Sequence, residues 1–335
     1  MPPRVAAIHP LSAIEGGRIT LEGSDFPIDQ PRVPDVRIGD RPARVVYASP
    51  TRIAAIVPSG IAQSGRTPVR IGQVPGETAF FELAAPWATG LHQVDNPVFD
   101  RDGNLYVTYS GTRGQQVPVS IFRVRPNGTR ETFCSGIANP TSTAIGPDGY
   151  LYVSSRFEGT VYQVDPDGAA KPFATHLGVA CGLAFAADGT LFVGDRSGTI
   201  FKVDRAGKTA TFASLPGSVA AFHLALAPDN ALYVTAPTLA TYDAIYRIDP
   251  KGNVKAEFNR FGRPQGIAFD SKGVLFVVEA LAGSSGLYRM MSEGAPKLVL
   301  SGPGLIGLAF DDQGGGVVCS NDTAYRLPNV SRALA

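Results

Sequence analysis

The stretch Pro97-Val98-Phe99-Asp100-Arg101-Asp102-Gly103-Asn104-Leu105-Tyr106-Val107-Thr108 sets two apolar, β-prone runs around an Asp-Gly turn. The chain repeats this pattern at 143–154, 182–194, 223–235, 266–278 and 307–319. The turn residues are Gly103, Gly149, Gly189, Asn230, Gly273 and Gly314, at intervals of 46, 40, 41, 43 and 41. An Asp or Asn ahead of a glycine suits a hairpin turn that needs positive φ, so Asp102, Asp148, Asp188 and Asp229 read as turn residues, not catalysts. A third β-prone run follows in each of the first five units, as in 120–128 and 160–168, and a fourth in units such as 171–178 and 210–217. The apolar residues alternate or run together for four to six positions, which is strand and not helix patterning. Four short strands per unit of about 42 residues predict a propeller blade.

A solenoid of stacked coils would carry a similar repeat, but it needs a cap at each end. Here the sixth unit stops after its third strand, near 323–329. Residues 85–92 (APWATGLH) match 171–178 (KPFATHLG) nearly position for position, with Trp87 over Phe173. The missing outer strand is therefore expected from the start of the array, closing a ring and removing its exposed edges. The predicted fold is all-β: a six-bladed β-propeller over 87–335, closed by an N-terminal outer strand, after an immunoglobulin-like β-sandwich over 1–84.

The repeated phrase resembles two related families, the NHL-repeat proteins and the gluconolactonase (senescence-marker-protein) hydrolases. Residues 4–83 hold about seven short strands, which fits a sandwich. The string Ile8-His9-Pro10, Gly16 to Phe26, Val36 to Gly39 and Ile53 to Pro58 resembles IPT/TIG domains. That resemblance implies a spacer or binding module. The linker Ala84-Ala85-Pro86 is short enough to hold the sandwich against the propeller rim.

Bulk composition narrows the function classes. Thirty basic and 29 acidic residues leave a net charge of +1, with no basic stripe, so no nucleic-acid partner is expected. No run of about 18 apolar residues offers a membrane span. No signal-peptide pattern opens the chain, which reads as cytoplasmic as given, or extracytoplasmic if a signal was removed or a partner carries it. The three cysteines, Cys134, Cys181 and Cys319, are far apart and read as buried thiols. Oligomeric state is not legible.

In a propeller the innermost strands line the channel, and ligand sites lie at its mouth. Register places Asp95-Asn96, Thr141-Ser142, Cys181-Gly182, Phe222-His223, Gln265-Gly266 and Ile306-Gly307 there. The gluconolactonase resemblance implies a divalent cation such as calcium, with Asp95 in the place of the family's first ligand and Asn96 and Gln265 beside it. Thr141, Cys181, Phe222 and Ile306 depart from that ligand set. His223, with Asp195 and Glu279 at the ends of second strands, is the candidate acid/base set, against which stands hydrogen bonding to loop amides. Tyr109, Arg113, Arg156, Phe157, Arg196 and Tyr242 fall in loops of the same face. Arg and aromatic residues suit a protein interface or an anionic or sugar-like ligand.

Three readings remain open. One is a binding or scaffold protein that engages a protein or carbohydrate partner through the propeller loop face, with the first domain as spacer or dock and no enzymatic activity. Another is a metal-dependent lactonase-like hydrolase with a degenerate metal site. A lyase with His223 as base is a third.

Overall fold

A computed structural model describes residues 4–28, 33–72, 78–281 and 283–327. Every regular element among them is a strand. The seven strands expected in the first domain form, from Arg4–His9 to Ala79–Leu83. Their alternation of buried and exposed positions, as in Arg18–Ser24, turns one face inward. Ile8, Ile19, Leu21, Phe26, Ile38, Ile53, Val69 and Phe81 fill the space between them. Arg41–Ser49 pairs with Arg52–Ile56 and with Val36–Ile38, so one long bulged strand serves both sides of the sandwich.

The repeats fold as small antiparallel sheets. Five are separate four-stranded sheets, four of them within 98–134, 140–174, 180–214 and 223–261. The fifth joins Leu305–Phe310, Gly316–Ser320 and Thr323–Leu327 to Pro86–Thr89. That last pairing sets Thr323 opposite Thr89 and Ala324 opposite Ala88, the closure expected from the match at Trp87. The Arg326 guanidinium covers the Trp87 ring at 4.4 Å and Phe99 stacks on it at 5.9 Å, holding the closing strand against the first sheet. The repeat at Pro264–Phe269, Leu275–Glu279, Gly286–Arg289 and Lys297–Ser301 also pairs in order, but as one end of a twelve-stranded sheet that runs on into the sandwich.

The bridge is a two-residue strand, Ser12–Ala13, parallel to both Ala79–Leu83 and Lys297–Ser301. The Ile14 amide donates to the Ser301 carbonyl at 2.9 Å and the Arg18 amide to Ser301 Oγ at 2.7 Å. Ile14 is buried among Leu300, Leu305 and Leu308. The sandwich is thus covalently joined at the closing strand and docked on the outer strand Lys297–Ser301 of the neighbouring repeat.

All six turn residues of the repeat have φ between 63° and 84°, which explains glycine at five of them and asparagine, the residue that best tolerates this region, at 230. The turns are clasped by aspartates at more than one position. Among the described residues Asp100, Asp270 and Asp311 each accept two turn amides, Asp102 accepts none, and Asp148, Asp188 and Asp229 accept one each.

Candidate functional site

The innermost strands approach closely because small residues recur at one level of the channel. A Cβ on Gly266 would stand 2.5 Å from Asn96 Oδ1 and 2.7 Å from the Gly307 Cα. One on Gly182 would stand 2.5 Å from the Phe222 carbonyl, and one on Gly307 would collide with the Asp95 carbonyl. The freed space is filled by two large polar side chains. Asn96 donates to the Ile267 carbonyl at 2.8 Å and accepts from the Leu308 amide at 3.0 Å, so both ends of its amide tie neighbouring inner strands. His223 reaches across the channel, its Nδ1 bonded to Asp95 Oδ1 and its Nε2 3.4 Å from Gln265 Oε1. Both partners are sealed, His223 at 0% and Asp95 at 1% exposure. Asp95 Oδ1 also accepts the Asn96 amide at 2.6 Å, while its Oδ2 is buried without a partner among the described residues.

The other acidic candidates bind backbone. Asp195 Oδ1 accepts the amides of Val179 at 2.8 Å and Ser197 at 3.1 Å, and Oδ2 takes the Ser197 hydroxyl. Glu279 accepts three amides, from Gly262 at 2.7 Å, Arg263 at 2.8 Å and Leu281 at 2.7 Å. Each therefore fastens the loop after its own strand to the loop before the inner strand of its repeat. Neither touches His223, so the structure does not assemble His223, Asp195 and Glu279 into one set. Asp95, Gln265 and His223 do come together. No group of three His, Cys, Asp or Glu residues placed to hold a metal occurs among the described residues.

Above this floor stand the loops with the arginine and aromatic candidates. Arg156 and Arg196 directly follow Ser155 and Asp195, the last residues of equivalent strands in adjacent sheets. Arg156 is half-buried and Arg196 exposed. Burial lowers the Arg156 pKa, and the nearby Arg196 charge adds to the effect. Arg113 is exposed on a loop shaped by buried Asn139, which accepts the Gly114 amide at 2.6 Å and donates to the Ser110 and Thr112 carbonyls. The Phe157 ring, 55% exposed, lies over Gly114, where a Cβ would approach it to 3.2 Å. Tyr109 is half-buried and meets His92 edge-on at 6.0 Å. Tyr242, 65% exposed, stands on the 237–242 loop, which the backbone at 218–219 links to the Arg196 segment.

Two neighbours of this cluster are not among the loop candidates, although register places Cys181 at the channel mouth. His92 was visible only as the end of the closing-strand match, yet it lies beside Tyr109, its pKa lowered by burial and by Arg156. Cys181 lies among Asp95, Arg156 and Arg196, its thiol pushed up to about 12, chiefly by burial, so it is no nucleophile at neutral pH. An apolar groove of about 450 Å3 lies elsewhere, between the sandwich and the Lys297–Ser301 strand, lined by Ile8, Leu11, Phe80, Leu298 and Leu300. Among the described residues His9 and Lys297 are the titratable groups that line it.

The IPT/TIG domain family matches residues 3–81. No curated protein matches the chain. An auxiliary nutrient binding protein from Bacteroides thetaiotaomicron aligns over 98% of this chain and 98% of its own, at 14% identity and a TM-score of 0.54. A gluconolactonase from Xanthomonas campestris aligns over 72% of this chain and 89% of its own, at 16% identity and a TM-score of 0.55. A streptogramin B lyase aligns over 93% of this chain and 98% of its own, at 15% identity and a TM-score of 0.54. At such identities the likeness shows the fold alone. Residues 3–81 are thus an IPT/TIG domain, and the repeats C-terminal to it form a β-propeller of the kind seen in gluconolactonase-like proteins.

Proposed function

We propose that this chain is a binding protein that engages a protein or carbohydrate partner through the loop face of a six-bladed ring, with the TIG domain over 1–84 as spacer or dock and the propeller over 87–335. Six blades result if the Pro264–Ser301 strands count as one. In support, the inner strands touch in closed order, Val98–Phe99, Pro140–Ile145, Ala180–Phe185, His223–Leu226, Pro264–Phe269, Leu305–Phe310 and back to the first.

One observation carries the binding reading. Asp195 and Glu279, the acidic candidates at the ends of second strands, are occupied by loop amides, whereas Arg113, Arg156 and Arg196 have no side-chain hydrogen bond or ion pair among the described residues. Unpaired arginines beside exposed aromatic rings are the composition of a recognition surface.

The hydrolase reading retains the orphaned Asp95 Oδ2. The surrounding donors, however, do not fit a hard cation. Asn96 is held by backbone, and His223 occupies the other Asp95 oxygen. A single carboxylate with one amide oxygen falls short of the six to eight oxygens calcium takes.

Two measurements test the proposal. Immobilised protein is screened on a glycan array, then compared with Arg113→Ala/Arg156→Ala/Arg196→Ala. The expected result is binding by the wild type and loss by the triple variant at unchanged melting temperature; retention of every ligand sinks the loop-face reading. In parallel, about 10 mM calcium, some tenfold above the weakest extracellular calcium modules, should leave Tm unchanged. A bound ion would add about 1.4 kcal/mol and raise Tm, restoring the hydrolase reading.

A further inference from the structure

The arginines of the loop face are without ion pairs among the described residues. The register position of Arg156 and Arg196 is filled elsewhere round the ring by Ser110, Pro237, Ala280 and Asn321, all uncharged. Two adjacent positions therefore hold all the charge at that level. Among the described residues the nearby carboxylates form no ion pair with either arginine: Asp195 is bonded to amides and the Ser197 hydroxyl, Glu158 to the Tyr162 hydroxyl at 2.9 Å, and Asp95 to His223. A half-buried guanidinium without a counter-charge is unfavourable, and such a state is relieved when a ligand supplies the anion. The floor below is closed by His223, Asn96 and the close approach at Gly266 and Gly307, so whatever binds sits in the mouth and does not thread the channel.

Resting on the loop-face reading, we propose that the ligand is a carboxylate-bearing carbohydrate of the uronate type, its carboxylate between Arg156 and Arg196 and its sugar ring against Phe157 and Tyr109. Guanidinium groups match a carboxylate with paired N–H donors. Phe157 offers an exposed ring face next to Arg156, and Tyr109 flanks the mouth beside His92. An acidic peptide would call for a wider basic surface than two adjacent positions provide. The chain's balance of 30 basic and 29 acidic residues supplies no such field.

Calorimetry on the whole chain tests this with three probes: a galacturonate trimer, a neutral galactose trimer and hexaglutamate. The galacturonate trimer should bind, more weakly as salt is raised. The neutral trimer should bind at least about tenfold more weakly, and Arg156→Gln/Arg196→Gln should lose about tenfold or more for the charged sugar only. Should that variant fail to fold, Arg156→Lys/Arg196→Lys keeps the charge but not the fork, and a loss of several-fold is expected. Equal binding of both sugars, abolished by Phe157→Ala, overturns the carboxylate assignment and leaves the loop face intact. Binding of hexaglutamate alone overturns the carbohydrate and keeps the face. No binding of any probe, or binding untouched by every variant, removes the proposal; the loop-face reading itself falls only if Arg113→Ala/Arg156→Ala/Arg196→Ala retains every array ligand.

Discussion

Replacing Glu279 with glutamine tests whether the acidic residues at the ends of second strands belong to the fold or to chemistry. Glu279 is 3% exposed and receives three backbone amides, two on Oε1 and one on Oε2. A glutamine oxygen can serve Arg263 and Leu281, but its NH2 then faces the Gly262 N–H, donor against donor. One hydrogen bond to a charged group is lost, about 1.5–3 kcal/mol, and the remaining two weaken with loss of the charge. The expected total is about 3 kcal/mol. At roughly 2 °C per kcal/mol for a chain of this size, Tm falls by about 6 °C. The assay is urea unfolding followed by far-UV circular dichroism and by the fluorescence of Trp87, the single tryptophan. Because Trp87 lies on the closing strand, its signal reports ring opening. Stability within about 0.5 kcal/mol of wild type would overturn the fastening role, since the amides would then be satisfied without the carboxylate.

Asn96→Ala should cost about 2 kcal/mol, because the Ile267 carbonyl and Leu308 amide lose a shared partner at the ring's waist; unchanged urea midpoints would contradict this. His92 should titrate below 6.5 by NMR, and Arg156→Gln should move it back upward by removing the second of its two causes. With a depressed folded pKa the unfolded chain binds the proton first, so His92 destabilises the fold as pH drops below 6.5, levelling off beneath the folded value. A His92 midpoint at or above 6.5 would contradict the placement beside Arg156. Cys134 and Cys181, pushed up to about 11 and about 12 chiefly by burial, and buried Cys319 should resist thiol labelling at neutral pH until urea is added. Labelling of native protein at the rate of free thiol would show that these sites open.

The repeat was legible because its signal is local. Positive φ at six turns demands Gly or Asn, and the strands beside them carry their own alternation. The closing strand was legible for the same reason, since Trp87 repeats the environment of Phe173. The strand Ser12–Ala13 was not, because two residues carry no period and their partners lie at 82–83 and 300–301. Register found the level at which Asp95, His223 and Gln265 sit. It could not show that the His223 ring crosses to Asp95, because facing positions in a ring are far apart in sequence, here by 128 residues. Nor could it decide between acid/base chemistry and loop fastening at Asp195 and Glu279. That depends on which backbone amides converge on each carboxylate, and these belong to irregular segments with no pattern to read.

If the arginine and aromatic loops recognise a ligand while the carboxylates hold the fold, removing the arginines should abolish binding and spare stability. The decisive measurement is array binding of the wild type against Arg113→Ala/Arg156→Ala/Arg196→Ala, with both proteins checked for equal Tm. Ligands captured by the wild type should be lost from the triple variant by about tenfold or more. A folded triple variant that binds as the wild type does would contradict this division of roles.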